Sequence, residues 1–281
     1  MQKQSPFLLP SDENAITIRI MKSNPDIKKA VRQHAEMAEF FSGGLTVKKT
    51  SLVARDSSLD KSESQVTSHE SRVTVRAPCS PETIKELEEI AEQTRQCRKC
   101  DLGYVRKNAV PGEGNTSARI MFVGEAPGAD EDTQGKPFVG RAGQLLDKII
   151  AACGLKRQDV WIGNILKCRP PDNRDPKPEE IIACIPYLQR QIELINPEII
   201  VALGAHAAKT LLDTPKAIGQ LRGMFHEYVP GLGHKPIKLM PTFHPAYLLR
   251  NYSDDNRRKV WEDMKKVLAE LGLPIPPRTN R

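Results

Sequence analysis

Four short runs along the chain are apolar almost without interruption: ARIMFVG (118–124), DVWIGNIL (159–166), EIIVALG (198–204) and PIKLMPTF (236–243). Their β-rich character predicts four strands. Between them, segments such as AGQLLDKIIAACG (142–154) and PEEIIACIPYLQRQIELI (178–195) place apolar residues at helical spacing. Strands that alternate with helices predict an α/β fold with a parallel sheet covered on both faces. In open sheets of this kind the ligand crevice lies beyond the carboxyl ends of the strands. The residues that follow the runs are Glu125, Asn164, Gly204 with His206, and His244, and these are the first candidates for a site.

Upstream, SPETIKELEEIAEQTRQC (80–97) predicts a helix with Ser80 as N-cap, Pro81 in the first turn, and Ile84, Leu87 and Ile90 on one face. The folded domain is expected to begin there and to run over 81–275, with 276–281 as a tail. Residues 1–80 have a different texture. NPDIKKAVRQHAEMAEFFSGG (24–44) carries Ile27, Val31, Ala35 and Ala38 at helical spacing before a Gly pair, which predicts a short amphipathic helix for docking or solvation. The Ser-rich, charge-rich stretch after it lacks the large apolar residues that folding needs and is expected to be disordered.

With 281 residues, 39% of them hydrophobic, the chain can bury one sizeable core and carry a smaller appendage. A net charge of +7, of which residues 1–80 supply +3, leans towards a polyanionic partner. No stretch reaches the roughly 18 apolar residues that span a bilayer, and the N-terminus has no secretory pattern, so a cytoplasmic location without a membrane partner is expected.

Six cysteines are too few for a secreted disulfide scaffold of this length, and four of them suggest a metal. Cys97 and Cys100 form a C-x2-C pair; Cys168 comes 67 residues later and Cys184 another 15 beyond it. Four thiolates suit either a tetrahedral zinc or a cubane cluster, and the spread of the last two leans towards the cluster. Cys153 reads as packing and Cys79 as an idle linker residue.

The turn FVGEAPGADED (122–132) holds four carboxylates and two glycines. The acids oppose a phosphate, and the Gly-Lys-Ser/Thr of a P-loop is missing, which argues against a nucleotide hydrolase. Its glycines allow close backbone approach to a ligand, and Pro127 stiffens the turn. Asp130 and Asp132 read as loop-structuring or solvated.

GEAPGADED, GKPFVGRAGQLL, NILKCRPPDNRDPKPEE and TFHPAYLLRN, with the cysteine quartet, resemble the iron–sulfur uracil-DNA glycosylases called family 4. The resemblance covers residues 83 to about 270. It implies a three-layer α/β/α sandwich with a four-stranded, mostly parallel central sheet, a [4Fe–4S] cluster on Cys97, Cys100, Cys168 and Cys184, and excision of uracil from single- or double-stranded DNA. It also implies a base pocket of Ala126, Gly128, Glu131, Phe138, Asn164 and His244, with Phe138 stacking on the base and Asn164 reading its edge. Glu125 would stabilise a cationic sugar and position water, and His244 would donate to the uracil O2. Glu131 is expected beside the C5 edge, where it excludes the thymine methyl.

Arg141, Lys167, Arg169, Arg174 and Lys177 are expected at phosphates, and Leu249 and Arg250 at the DNA. One of Tyr247, Leu248, Leu249 and Arg250 is the expected wedge. No lysine stands at the strand-end positions, so a product with an abasic site and no lyase step is expected. A covalent relative with GEQPG and an inserted KRRIH loop differs from this chain, which has only His226 in LRGMFHEY. The competing reading is a cluster protein that binds damaged DNA without cutting. A monomer is expected, with residues 1–80 docking a repair or replication protein.

Overall fold

The structure is a computed structural model and describes residue 76, residues 79–230 and residues 234–277. The helix expected near 24–44 and the Ser-rich linker lie outside the described residues. The described elements, in order, are α1 (Pro81–Gln96), α2 (Leu102–Val105), β1 (Glu113–Gly114), β2 (Ile120–Gly124), α3 (Ala129–Gln134), α4 (Arg141–Ala152), β3 (Trp161–Asn164), α5 (Pro178–Ile195) and β4 (Ile199–Leu203). They continue with α6 (Ala205–Leu212), α7 (Ile218–Leu221), β5 (His226–Tyr228), β6 (Ile237–Thr242), α8 (Pro245–Arg250) and α9 (Asp254–Glu270).

The sheet has the order β1-β3-β2-β4-β6-β5. Its four central strands are the four apolar runs, all parallel. Two short antiparallel strands, β1 and β5, are added at the edges, so the sheet has six strands where four were expected. Both edge strands are too short, at two and three residues, to leave a periodic signal in the sequence.

Alternation along the central strands divides the core in two. Ile120, Phe122, Ile162, Ile199, Val201 and Met240 pack with α4 and α9 on one face. Met121, Val123, Trp161, Ile200, Ala202 and Leu239 pack with α1, α5 and α6 on the other. Successive strand residues point to opposite faces, and here both faces are dry, which is why the runs read as continuous apolar stretches.

At the start of α1, Ser80 Oγ accepts the Thr83 N–H at 3.2 Å with Pro81 in the first turn, as expected. Leu87 and Ile90 are buried, whereas Ile84, expected on the same face, is exposed. Contacts to the domain begin before α1. Cys79 is half-buried, its N–H donates to Ser117 Oγ and its thiol to the Thr116 carbonyl, both at 2.8 Å, so it is a tether and not an idle linker residue. Among the described residues, no helix is long and apolar enough to cross a membrane.

Candidate functional site

Parallel strands end together, and the register sets Gly124 beside Asn164 and Leu203 beside Thr242. A cavity of about 480 Å³ opens at this edge, and Glu125, Phe138, Asn164, His206 and His244 all line it. The crevice rule therefore places the candidates in one cavity. Ala126, Gly128 and Glu131 also line it.

The acidic turn after β2 uses its carboxylates on backbone N–H groups. Glu131 accepts from Gly128 at 3.0 Å, from Val139 at 2.8 Å and from Gly140 at 2.9 Å, and so clamps the GEAPG turn to the GKPFVG turn. Asp132 is buried, and its Oδ1 accepts from the N–H groups of Lys107 and Asn108 at 3.0 and 3.3 Å. Glu125 is the carboxylate left facing the cavity, half-buried. Burial pushes its carboxyl up from the ordinary range, His206 pulls it down, Asp175 pushes it up and Arg250 pulls it down.

Phe138 takes a left-handed backbone conformation, φ 51°, which a bulky residue adopts only when its surroundings impose it. Arg157 supplies the constraint, donating to the carbonyls of Phe138, at 3.2 Å, and Pro137, while pairing with Asp147 at 2.8 Å. Gly143 permits the turn, because a Cβ there would stand 1.9 Å from the Phe138 carbonyl oxygen. The ring ends 5.7 Å from the His244 ring, centroid to centroid.

Asn164 closes β3 with 1% of its surface exposed, and its Oδ1 is a buried acceptor with no partner. An orphan of this kind costs about 1–3 kcal/mol and marks a position that a ligand donor can satisfy. Gly124 makes the arrangement possible, since a Cβ at that position would lie 2.4 Å from Asn164 Oδ1 and 2.6 Å from Phe138 Cζ.

His244 caps α8, and its Nδ1 accepts the Ala246 N–H at 3.1 Å. In the neutral ring the proton then sits on Nε2. Burial, helped by Arg250, pushes the imidazole down to about 4, so the ring is neutral near pH 7. The strand before it is pinned by Asp263, which accepts from Thr242 Oγ1 at 2.6 Å and pairs with Arg222 at 2.7 Å. Gly204, at φ 90°, leaves room for the histidine, because a Cβ there would come within 2.9 Å of His244 Cβ.

The residues expected at DNA separate into groups. Arg250 is exposed and lines the cavity. Arg141 is exposed at the start of α4, Arg169 is half-buried with its Nε donating to Asn173 Oδ1 at 2.8 Å, and Leu249 is half-buried against the core. Lys167 contradicts the expectation. It is 1% exposed, and its Nζ donates to the Asn164 carbonyl at 3.1 Å and to Gln191 Oε1 at 2.8 Å, so it cannot reach a phosphate. Leu248 is likewise buried in the core and cannot act as a wedge. Arg174, expected at a phosphate, is tied to Glu180 at 3.0 Å. His226, on β5, donates from Nε2 to the Leu221 carbonyl at 2.9 Å.

His206, a strand-end candidate with no role assigned from the sequence, meets Asp175, which the sequence did not single out, in the cavity. His206 Nε2 lies 3.4 Å from Asp175 Oδ1 and 4.0 Å from Glu125 Oε2. His206 had a signal, a Gly-x-His directly after a strand. Asp175 had none, since only the fold brings its loop across.

Cys97, Cys100, Cys168 and Cys184 line one small cavity between α1, α5 and the loop after β3. Arg106 Nη1 donates to Cys168 Sγ at 2.8 Å, and the Lys167 N–H to Cys184 Sγ at 3.2 Å. Burial pushes both thiols up, Cys184 to about 11. Left alone they stay protonated; a metal would hold them as thiolates, whose sulfurs accept such donors. The four residues are thus compatible with an iron–sulfur cluster. Cys153 is buried in the core, as expected.

A model of the uracil DNA glycosylase superfamily matches residues 111–265. The chain is 51% identical to the type-4 uracil-DNA glycosylase of Saccharolobus solfataricus over 190 residues, 66% of this chain and 86% of that one. It is 51% identical to the enzyme of the same name from Thermotoga maritima over 187 residues, 66% and 95% of the two chains, and 47% identical to that of Archaeoglobus fulgidus over 197 residues, 69% and 97%. The matched span contains the sheet, the cavity at its edge and the last two cysteines, and on these grounds the chain belongs to the uracil-DNA glycosylase superfamily.

Proposed function

We propose that the protein excises uracil from DNA by hydrolysing the N-glycosidic bond, leaving an abasic site. The observation that carries the reading is the shared cavity at the sheet edge, where an unpaired amide oxygen, an aromatic ring, a carboxylate and a neutral imidazole face one another.

A base inside a duplex is out of reach, so the nucleotide must be extruded into the cavity. Phe138 offers the stacking face. The free Asn164 Oδ1 accepts the uracil N3–H and the amide Nδ2 donates to O4. Cytosine presents an acceptor at N3 and a donor at N4, and it meets the amide with both signs reversed.

As the bond from N1 to C1′ breaks, its electron pair leaves with uracil and the sugar becomes cationic. His244 presents Nε2–H to O2, where negative charge collects. Glu125 places negative charge beside the sugar and takes a proton from the water that forms the new C1′–O bond. Glu131 has its oxygens engaged by the loops, so it shapes the wall beside the base. Among the described residues no lysine lines the cavity, which leaves no amine for a Schiff base and ends the reaction at the abasic site.

Cys97, Cys100, Cys168 and Cys184 would hold a [4Fe–4S] cluster, which would cross-link the end of α1, α5 and the loop after β3. Arg250 would contact the backbone. The test is alkaline cleavage of a labelled oligonucleotide bearing one uracil. Wild type is expected to cut it, with Glu125→Gln and Asn164→Ala reduced at least about 100-fold. A wild type that binds the oligonucleotide and leaves uracil in place would make the protein a damage-binding module.

A further inference from the structure

His206 stands in the second position of α6, immediately beyond the carboxyl end of β4, and no step above uses it. Its Nε2 faces two carboxylates, Asp175 Oδ1 at 3.4 Å and Glu125 Oε2 at 4.0 Å. Asp175 is delivered from the opposite wall. Its loop is fixed by Arg174, which donates to the Asp175 carbonyl at 3.0 Å and pairs with the buried Glu180 on α5. A proton on Nε2 makes this nitrogen a donor in either charge state of the ring. Two atoms 4.0 Å apart are also close enough to share one water at hydrogen-bond distance from each, about 2.8 Å.

Resting on the proposed hydrolysis, we propose that His206 is a positioning residue that presents Nε2–H to the Glu125 carboxylate, directly or through the attacking water, and is itself steered by Asp175. The groups that face Glu125 are His206 from α6, Asp175 from the loop before α5, Arg250 from α8 and the neutral His244. Burial and Asp175 both favour the protonated carboxyl, which can neither take a proton from water nor stabilise a cationic sugar. Arg250 and His206 oppose them. Arg250 is exposed on α8 and would be shared with a DNA phosphate, whereas His206 stays inside the cavity. His206 is then the group that keeps Glu125 ionised once DNA closes the cleft.

The experiment is the single-turnover rate of uracil release against pH for the holoenzyme, for His206→Ala and for His206→Gln, with melting temperature and visible absorbance recorded on each. For His206→Ala the acid limb is expected to move up by about one unit, so that the loss reaches about tenfold on the acid side of the wild-type limb and disappears on the alkaline plateau. His206→Gln, which keeps a donor at the same reach, is expected to recover part of that shift. Equal losses at every pH, or an unmoved limb in both variants, would overturn the positioning role while leaving uracil excision intact. Absence of release by wild type at any pH would instead remove the proposed hydrolysis, and the role of His206 with it.

Discussion

His244 Nδ1 accepts the Ala246 N–H at 3.1 Å, so the geometry of the first turn of α8 decides which ring nitrogen can donate into the cavity. The same ring is pushed down to about 4 by burial and by Arg250. A folded-state value below the unfolded one, about 6.5, means that the unfolded chain binds more protons between pH 4 and 6.5. Stability from this group is present above about pH 6.5 and is lost as pH falls through the window. His244→Asn is expected to flatten the rise of melting temperature between pH 4 and 6.5, removing on the order of 2 kcal/mol of its pH dependence. It should also reduce the excision rate at pH 7 by about 100-fold or more, because a donor at the leaving oxygen is lost.

Gly124 separates the site from the fold. A Cβ there meets Asn164 Oδ1 and Phe138 Cζ, both of which face the cavity, and neither contact lies on a backbone group. Gly124→Ala is therefore expected to displace the two side chains and lower uracil excision at least about tenfold, while melting temperature falls by only a few degrees. Gly143→Ala is the contrast, since its Cβ would strike the Phe138 carbonyl carbon and oxygen at 2.1 and 1.9 Å. Thermal melting of both variants beside their rates tests the pair; similar melting losses would show that Gly124 serves packing and not the site.

The central strands and their shared edge were legible because burial on both faces leaves unbroken apolar runs, and because parallel strands must end together. Glu125, Asn164 and His244 followed from that edge alone. The edge strands were invisible for want of length. Lys167 was misread because position beside a basic loop says nothing of direction: its side chain turns inward, where the Asn164 carbonyl and Gln191 accept its protons. Asp175 was missed for the opposite reason. Its place opposite His206 is set by Arg174 and Glu180, through contacts that no local pattern records.

The four cysteines distinguish zinc from iron–sulfur by a measurement that needs no substrate. Purified protein is expected to be brown, with broad near-visible absorbance and about four irons per chain. Cys184→Ala is expected to bleach it and lower melting temperature, because a cluster held by this thiol would tie α5 to the end of α1 and to the loop after β3. A colourless protein containing one zinc would keep the cross-link and reject the cluster.

Lys167 and Arg250 are both basic and were both expected at DNA, yet they should fail in different ways. Lys167 Nζ bonds the Asn164 carbonyl and, through Gln191, which donates to the Pro111 carbonyl at 2.9 Å, joins the strand end to the segment before β1. Lys167→Met leaves two buried acceptors unpaired, and a loss of about 2–4 kcal/mol in folding stability is expected. Its affinity for DNA should keep the wild-type dependence on salt. Arg250 is exposed at the end of α8, so Arg250→Ala should leave melting temperature within a few degrees of wild type. It should lower the slope of log affinity against log salt by about 1, as one phosphate contact is lost. Titrations at several salt concentrations, run with denaturant melts on both variants, decide the matter. A reduced salt slope in Lys167→Met with unchanged stability would mean that the lysine leaves its internal partners and reaches the DNA after all.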